Sequence, residues 1–153
     1  MSDLITKFVV AGIIQDDEGR IFIQQRRSNV EYPNKWELPG GKVEDNEDLQ
    51  SALSRELQEE GIGHVVEHGP IIAAIEKTSI KKYQYILLFM KVKLHNTVCI
   101  CREDLKAAQD FAWIRKHQLE AIELELFLGH PVYDLIHGDL QVLLTLPKVW
   151  ETF

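Results

Sequence analysis

Residues 40–63 read GGKVEDNEDLQSALSRELQEEGIG, and this stretch changes character along its length. Leu49, Ala52, Leu53 and Leu57 stand at i, i+3, i+4 and i+8, one apolar face of a helix expected over about residues 46–60. Asp45 or Asn46 can cap its start, Glu47 and Asp48 suit its first turn, and Gly61 or Gly63 can close its end. The same stripe, continued, calls for apolar residues at i+7 and i+11. The chain places Glu56 and Glu60 there, with Glu59 beside them. Like charges at this spacing repel by ~0.2–0.5 kcal/mol per pair. Carboxylates near a helix C-terminus oppose the helix dipole by roughly 0.3–1 kcal/mol each. Arg55 reaches Glu59 at i+4, but one guanidinium does not neutralise three acids. A solvated face is the ordinary reading of a Glu-Glu pair, yet acids that extend a core-facing stripe need a partner on the core side. A divalent cation supplies one. Hard oxygen donors suit Mg²⁺ or Mn²⁺ better than Zn²⁺, and Mg²⁺ commonly shares its shell with substrate phosphates. An acidic cluster beside a Gly-Gly loop therefore points to chemistry on a phosphate ester or anhydride.

Outward from this helix the pattern is β-rich. Residues 6–15 (TKFVVAGIIQ) read as a buried strand, 16–19 as a hairpin turn and 20–25 (RIFIQQ) as the returning strand. A polar connection, RRSNVEYPNK, leads to a short WEL segment and to the Pro39-Gly40-Gly41 loop. Further strands are expected at 70–80, 83–94 and 110–114, and helices at about 116–123 and 131–144, the second opened by Pro131. Strands around a central helix, with more helix at the end, suggest an α/β sandwich on a mixed sheet.

Composition narrows the function. The 153 residues suit one domain, and 45% hydrophobic with 27% charged residues is an ordinary globular balance. A net charge of −7 without a basic block argues against a nucleic acid polymer as partner. The apolar run Phe8–Ile14 is too short to span a membrane, and a cytoplasmic protein is expected. Cys99 and Cys101 have no second pair with which to make a zinc site, and their i, i+2 spacing would put both thiols on one face of a strand.

The helix and its loop resemble the Nudix box. Gly41, Glu47, Arg55, Glu56, Leu57, Glu59 and Glu60 fall at its spacing. The box then asks for Gly and an aliphatic residue, where this chain has Ile62 and Gly63. IFIQQRR (21–27) and WELPGGK (36–42) look like the MutT branch of that family, a likeness covering about residues 6–64. The resemblance implies a Nudix-type α/β/α sandwich with a mixed β-sheet, a single domain over residues 1–153. It implies Mg²⁺-dependent hydrolysis of a nucleoside diphosphate linked to another group. In the MutT branch the substrate is a (d)NTP and the products are a (d)NMP and pyrophosphate.

By position in the box, the Gly40 carbonyl and the Glu56, Glu59 and Glu60 carboxylates would hold the metal. The catalytic set would be these glutamates with Arg55, and Glu56 is our choice of general base. Gly41 and Glu47 would be structural, Glu47 pairing with Arg55 to tie loop to helix. Arg26 and Lys42 would meet the phosphates. Glu103, Asp104 and Asp110 are candidates for a further loop acid. Trp36, Tyr83, Tyr85 and Phe89 could stack on a base, although strand aromatics are more often core. Where relatives that select oxidised guanine carry an Asn, this chain offers Gly129 and His130. Other readings of the same motif are a dinucleoside polyphosphate or nucleotide-sugar hydrolase, and a non-catalytic nucleotide-sensing domain.

Overall fold

A computed structural model describes residues 4–78, 82–119 and 135–152. Two sheets hold the chain. The first has the order β4-β1-β6-β5. In it β1 (Ile5–Ile14) runs parallel to β6 (Tyr83–Leu94), from the pair Ile5↔Tyr83 to Ile14↔Val92. Antiparallel neighbours flank this pair: β4 (Gly40–Lys42) beside β1, and β5 (Val65–Thr78) beside β6. The second sheet sets β2 (Ile21–Arg26) between β3 (Trp36–Glu37) and β7 (Ala108–Ile114), antiparallel to both.

Helix α1 (Leu49–Glu59) buries Ala52, Leu53 and Leu57. These pack with Val10, Ile14, Phe22 and Met90 in one core cluster. Gly12 lies beneath Leu53 and Leu57, close enough that the sheet meets the helix without an intervening side chain. Alternate residues of the same strands, Ala11, Ile13 and Phe89, join Val142 and Leu143 of α2 (His137–Thr145) in a second cluster. Thus α1 and α2 cover opposite faces of the mixed sheet, the layered α/β/α arrangement expected from the sequence. Among the described residues no helix is long and apolar enough to cross a membrane.

Several local expectations are corrected. β1 and β2 share the turn at 16–19 and one bridge, Gln15↔Ile21, but then diverge into different sheets. Asp16 directs that turn by accepting from the Glu18 and Arg20 amides at 3.0 and 2.8 Å. α1 begins later than expected because Asp48 is its cap, accepting from the Ser51 amide at 2.7 Å and the Ser51 hydroxyl at 3.0 Å. Asn46, at φ +63, lies in a left-handed turn before it. β5 starts at Val65 rather than residue 70, and Gly69-Pro70 falls within a register shift between His68 and Ile71. An edge strand tolerates such a proline. Cys99 and Cys101 are free thiols, Cys99 at the end of the 3₁₀ turn Thr97–Cys99 and Cys101 just before the turn Arg102–Asp104, and neither is in a strand. Asn96 nucleates the first turn by accepting from the Val98 amide at 3.0 Å. Leu135 bridges Trp36, and the Ile136 amide donates to the Trp36 carbonyl at 2.9 Å, so α2 starts at His137. Residues 116–119 are helical; Pro131, Gly129 and His130 lie outside the described residues.

Candidate functional site

The apolar stripe of α1 delivers two of its three acids to the interior. Glu60 is 8% exposed and the Glu56 side chain 17%, whereas the Glu59 side chain is 61% exposed. The expectation that all three face the core therefore holds for two. Glu59 leans outward to the Arg55 guanidinium at 3.1 Å.

Two glycines let the loop come this close. A Cβ on Gly41 would overlap the Glu56 carboxyl group. A Cβ on Gly40 would overlap the Val10 carbonyl, and Gly40 has φ +154, a conformation that side chains resist. The Gly40 backbone hydrogen-bonds the Glu60 carboxylate. Gly61 closes the helix at φ +79 with the Asp104 carbonyl against it, and the Lys106 amide donates to the Glu60 carbonyl at 3.0 Å. The departure from the box ends in a buried Ile62, whose amide caps onto the Leu57 carbonyl at 2.9 Å.

Arg55 lies at the centre of the loop–helix junction. Its Nε and one terminal nitrogen donate to Glu47 at 2.7 and 2.9 Å, and a third donor reaches Glu56 at 3.0 Å. It also donates to the Lys42 carbonyl at 3.0 Å. Glu47 in turn accepts from the Glu44 amide at 3.1 Å. These bonds hold the Glu47 carboxyl down at about 2, with the Arg55 hydrogen bond as the largest cause, and raise Arg55 above its usual range.

The acids at the other end of α1 are pushed the opposite way. Burial raises Glu60 to about 9, helped by the neighbouring charges of Glu56 and Glu37 and opposed by hydrogen bonds from Gly40 and Gln24. Burial also raises Glu56, against the pull of Arg55. Glu60 Oε2 is buried without a hydrogen-bond partner among the described residues, as is Gln24 Oε1. A buried carboxylate oxygen left bare is costly in a structure that satisfies most such atoms.

Three contributors escaped the reading of the sequence. Glu37 of β3 sits beside Glu60 and is ion-paired with Arg26 at 3.0 Å. Gln24, 1% exposed on β2, lies between Glu37 and Glu60. Asp139, 5% exposed in the first turn of α2, accepts from the Leu38 amide at 2.8 Å and is raised to about 7, mainly by burial. For Glu37 the signal was available: it adjoins the Pro39-Gly40-Gly41 loop. Gln24 and Asp139 come from elements remote in sequence, and nothing local marks them.

Of the expected phosphate contacts, Arg26 is held by Glu37 and by the Glu31 carbonyl at 2.7 Å. Lys42 is exposed, its ammonium 5.9 Å from the centre of the Tyr85 ring. Among the candidate loop acids, Asp110 is paired with Arg102 at 2.9 Å, Asp104 accepts from the Cys101 thiol at 2.7 Å, and Glu103 is exposed. Phe89 is fully buried in the core, so it is not a stacking platform; Tyr83 and Tyr85 remain half-buried.

The donor set fits a hard divalent cation in kind: carboxylates, one with a bare oxygen, beside a glycine loop whose backbone is uncovered by side chains. Among the described residues no three His, Cys, Asp or Glu side chains converge as a ready-made cage. Arg55, bridging Glu56 and Glu59, supplies the positive charge there.

Comparison with known proteins agrees with this geometry. The family model described as "NUDIX domain" matches residues 6–135. An 8-oxo-dGTP diphosphatase of Proteus vulgaris is 47% identical over 60 residues, 39% of this chain and 54% of that protein. The chain thus spans about half the length of that curated relative. Nucleoside triphosphatase NudI of Salmonella newport is 26% identical over 133 residues, 80% of this chain and 91% of NudI. The solution structure of the E. coli ORF135 protein superposes with a TM-score of 0.67 at 28% identity, covering 92% of this chain and 87% of that one.

Proposed function

The chain belongs to the NUDIX domain family, and from that membership we propose that it hydrolyses a nucleoside diphosphate linked to another group, foremost a (d)NTP to a (d)NMP and pyrophosphate. The observation that carries this reading is the pair Glu56 and Glu60, turned inward against Gly40-Gly41 with one carboxylate oxygen left bare. The names of the relatives support a nucleotide substrate. We read the cofactor as Mg²⁺, with Mn²⁺ as a substitute, the partner as a small-molecule nucleotide and the compartment as the cytoplasm. The whole chain acts as a single hydrolase domain.

Glu56, Glu59, Glu60 and the Gly40 carbonyl would hold the cation. When bound, it neutralises phosphate charge and acidifies a coordinated water. The residues of the chain do the rest. The oxygen of water bonds to one phosphorus of the anhydride, and the bridging oxygen leaves with the other phosphoryl group. Glu56, raised by burial, takes the proton of that water as general base. Arg55 fixes the Glu56 carboxylate through its own pair with Glu47, so the base is aimed before substrate arrives. Exposed Lys42, directly after the glycines, meets the phosphates. Arg26 joins it by exchanging its Glu37 contact for substrate.

The test is pyrophosphate release across a panel of (d)NTPs, dinucleoside polyphosphates and nucleotide sugars with Mg²⁺ or Mn²⁺. Turnover of at least one (d)NTP is expected. Silence across the panel overturns the hydrolase reading.

A further inference from the structure

On the face of the mixed sheet covered by α2, three lysines gather around one tyrosine. Tyr85 of β6 pairs with Lys7 of β1 on one side and with Lys77 of β5 on the other. Lys42 of β4 pairs with Val9, two residues on from Lys7 and hence on the same face, and its ammonium sits 5.9 Å from the Tyr85 ring centre. The Lys7 ammonium is 5.9 Å from the Tyr83 ring and that of Lys77 is 5.6 Å from the Tyr32 ring. Tyr83 and Tyr85 lie 6.0 Å apart, which joins the Lys7 and Lys42 contacts, while Lys77 is tied to Tyr85 through the strand register. All three lysines are exposed, and none forms an ion pair among the described residues. Asp139 is the buried carboxylate within electrostatic reach of Lys77.

This arrangement is unusual for a chain of net charge −7. Like charges on neighbouring strands destabilise a sheet, and aromatic faces offset that repulsion only in part. An anion would offset it fully. Lys7 and Lys77 stand two strand spacings apart, roughly 10 Å, with Lys42 between them and the catalytic glycines. Three cations over that span are too few for a nucleic acid polymer, which draws on many phosphate contacts. The ring faces already carry ammonium groups, which disfavours a stacked base.

We propose that Lys7, Lys42 and Lys77, arranged around Tyr85, bind an oligophosphate chain and select substrates by the number of phosphoryl groups they carry. This deepens the reading given under Proposed function and rests on Lys42 meeting phosphate there. The shared chemistry is a linear polyphosphate, either the tail of a nucleoside triphosphate or free inorganic tripolyphosphate.

The probe is inorganic tripolyphosphate, titrated calorimetrically into the full chain with divalent metal chelated. The wild type is expected to bind, with log K falling as log salt rises. The double variant Lys7→Gln/Lys77→Gln is expected to bind at least about tenfold more weakly with a shallower salt slope. Lys7→Arg/Lys77→Arg retains binding. Lys93→Gln, an exposed lysine on the same strand as Tyr85, changes net charge without changing binding. In the turnover arm, the ratio of kcat/KM for a nucleoside triphosphate over the matching diphosphate falls about tenfold in the double Gln variant. No tripolyphosphate binding by the wild type, equal binding by the double Gln variant, or an unchanged ratio overturns the inference. If no nucleotide is hydrolysed while lysine-dependent tripolyphosphate binding persists, the hydrolase reading fails and the anion site stands.

Discussion

Glu47 and Glu60 are the same side chain on either side of one helix, and their surroundings push them in opposite directions. Glu47 accepts two bonds from Arg55 and one from a backbone amide, and its carboxyl is held down at about 2. Glu60 is buried beside Glu56 and Glu37, carries a bare oxygen, and is pushed up to about 9. At the first end Glu47 and Asp48 both have partners, which is what a structural role needs. At the second the protein gathers carboxylates and leaves one unsatisfied, which favours a cation or proton from outside. The contrast separates the acids that hold the fold from the acids proposed to work on substrate.

The largest effect is expected at Glu56. Glu56→Gln keeps the shape of the side chain but removes the proposed base, so turnover is expected to fall by roughly 10²–10⁴-fold, while the melting temperature holds or rises. A loss of turnover matched by unfolding would blur the two ends of the helix into one structural role. Next comes Gly41→Ala. Its methyl group collides with the Glu56 carboxyl. Activity should fall on the order of 10²-fold through misplacement, with about 1–3 kcal/mol of stability lost to overpacking. Full activity in this variant would show that the placement of Glu56 against the glycines is immaterial.

Glu60 gives a pH test. Its folded value lies above its ordinary value of 4.5, so its contribution to stability is complete below about 4.5 and is lost as pH rises to about 9. Without divalent metal, Glu60→Gln should therefore be more stable than the wild type at alkaline pH, by an amount on the order of 1–3 kcal/mol, and similar to it in acid. Equal stability at all pH values would place Glu60 in a solvated setting. The smallest effect belongs to Glu47, whose folded value is depressed. Its contribution is present above about 4.5 and is lost as pH falls toward 2. Glu47→Gln should lower the melting temperature by a few degrees at neutral pH, and the difference should vanish in acid.

How much of this was legible in the sequence follows from where each signal resides. Glu56 and Glu60 could be read because a helix repeats its faces, and the apolar stripe pointed both inward. Glu59 was misassigned to the interior because Arg55, four residues before it, draws it outward. The start of α1 was misplaced by the run of acids and Asn before it. Which of those caps the helix depends on Glu47 being taken up by Arg55, a pairing across eight residues that leaves Asp48 to the Ser51 amide. The split of β1 and β2 between sheets is set by pairing partners far along the chain, β6 and β7, which a hairpin signal cannot contain. Gln24, Glu37 and Asp139 belong to three different elements, and only packing brings them to the end of α1 and to Leu38.

The most direct test of the central claim is a calorimetric titration of the chain with Mn²⁺ at several pH values. Glu60 must give up its proton to become a ligand, so affinity should strengthen as pH rises toward 9. Binding should release a proton near neutrality, and Glu56→Gln or Glu60→Gln should weaken it at least about tenfold. Failure of the wild type to bind Mn²⁺, or binding indifferent to both substitutions, would contradict the account.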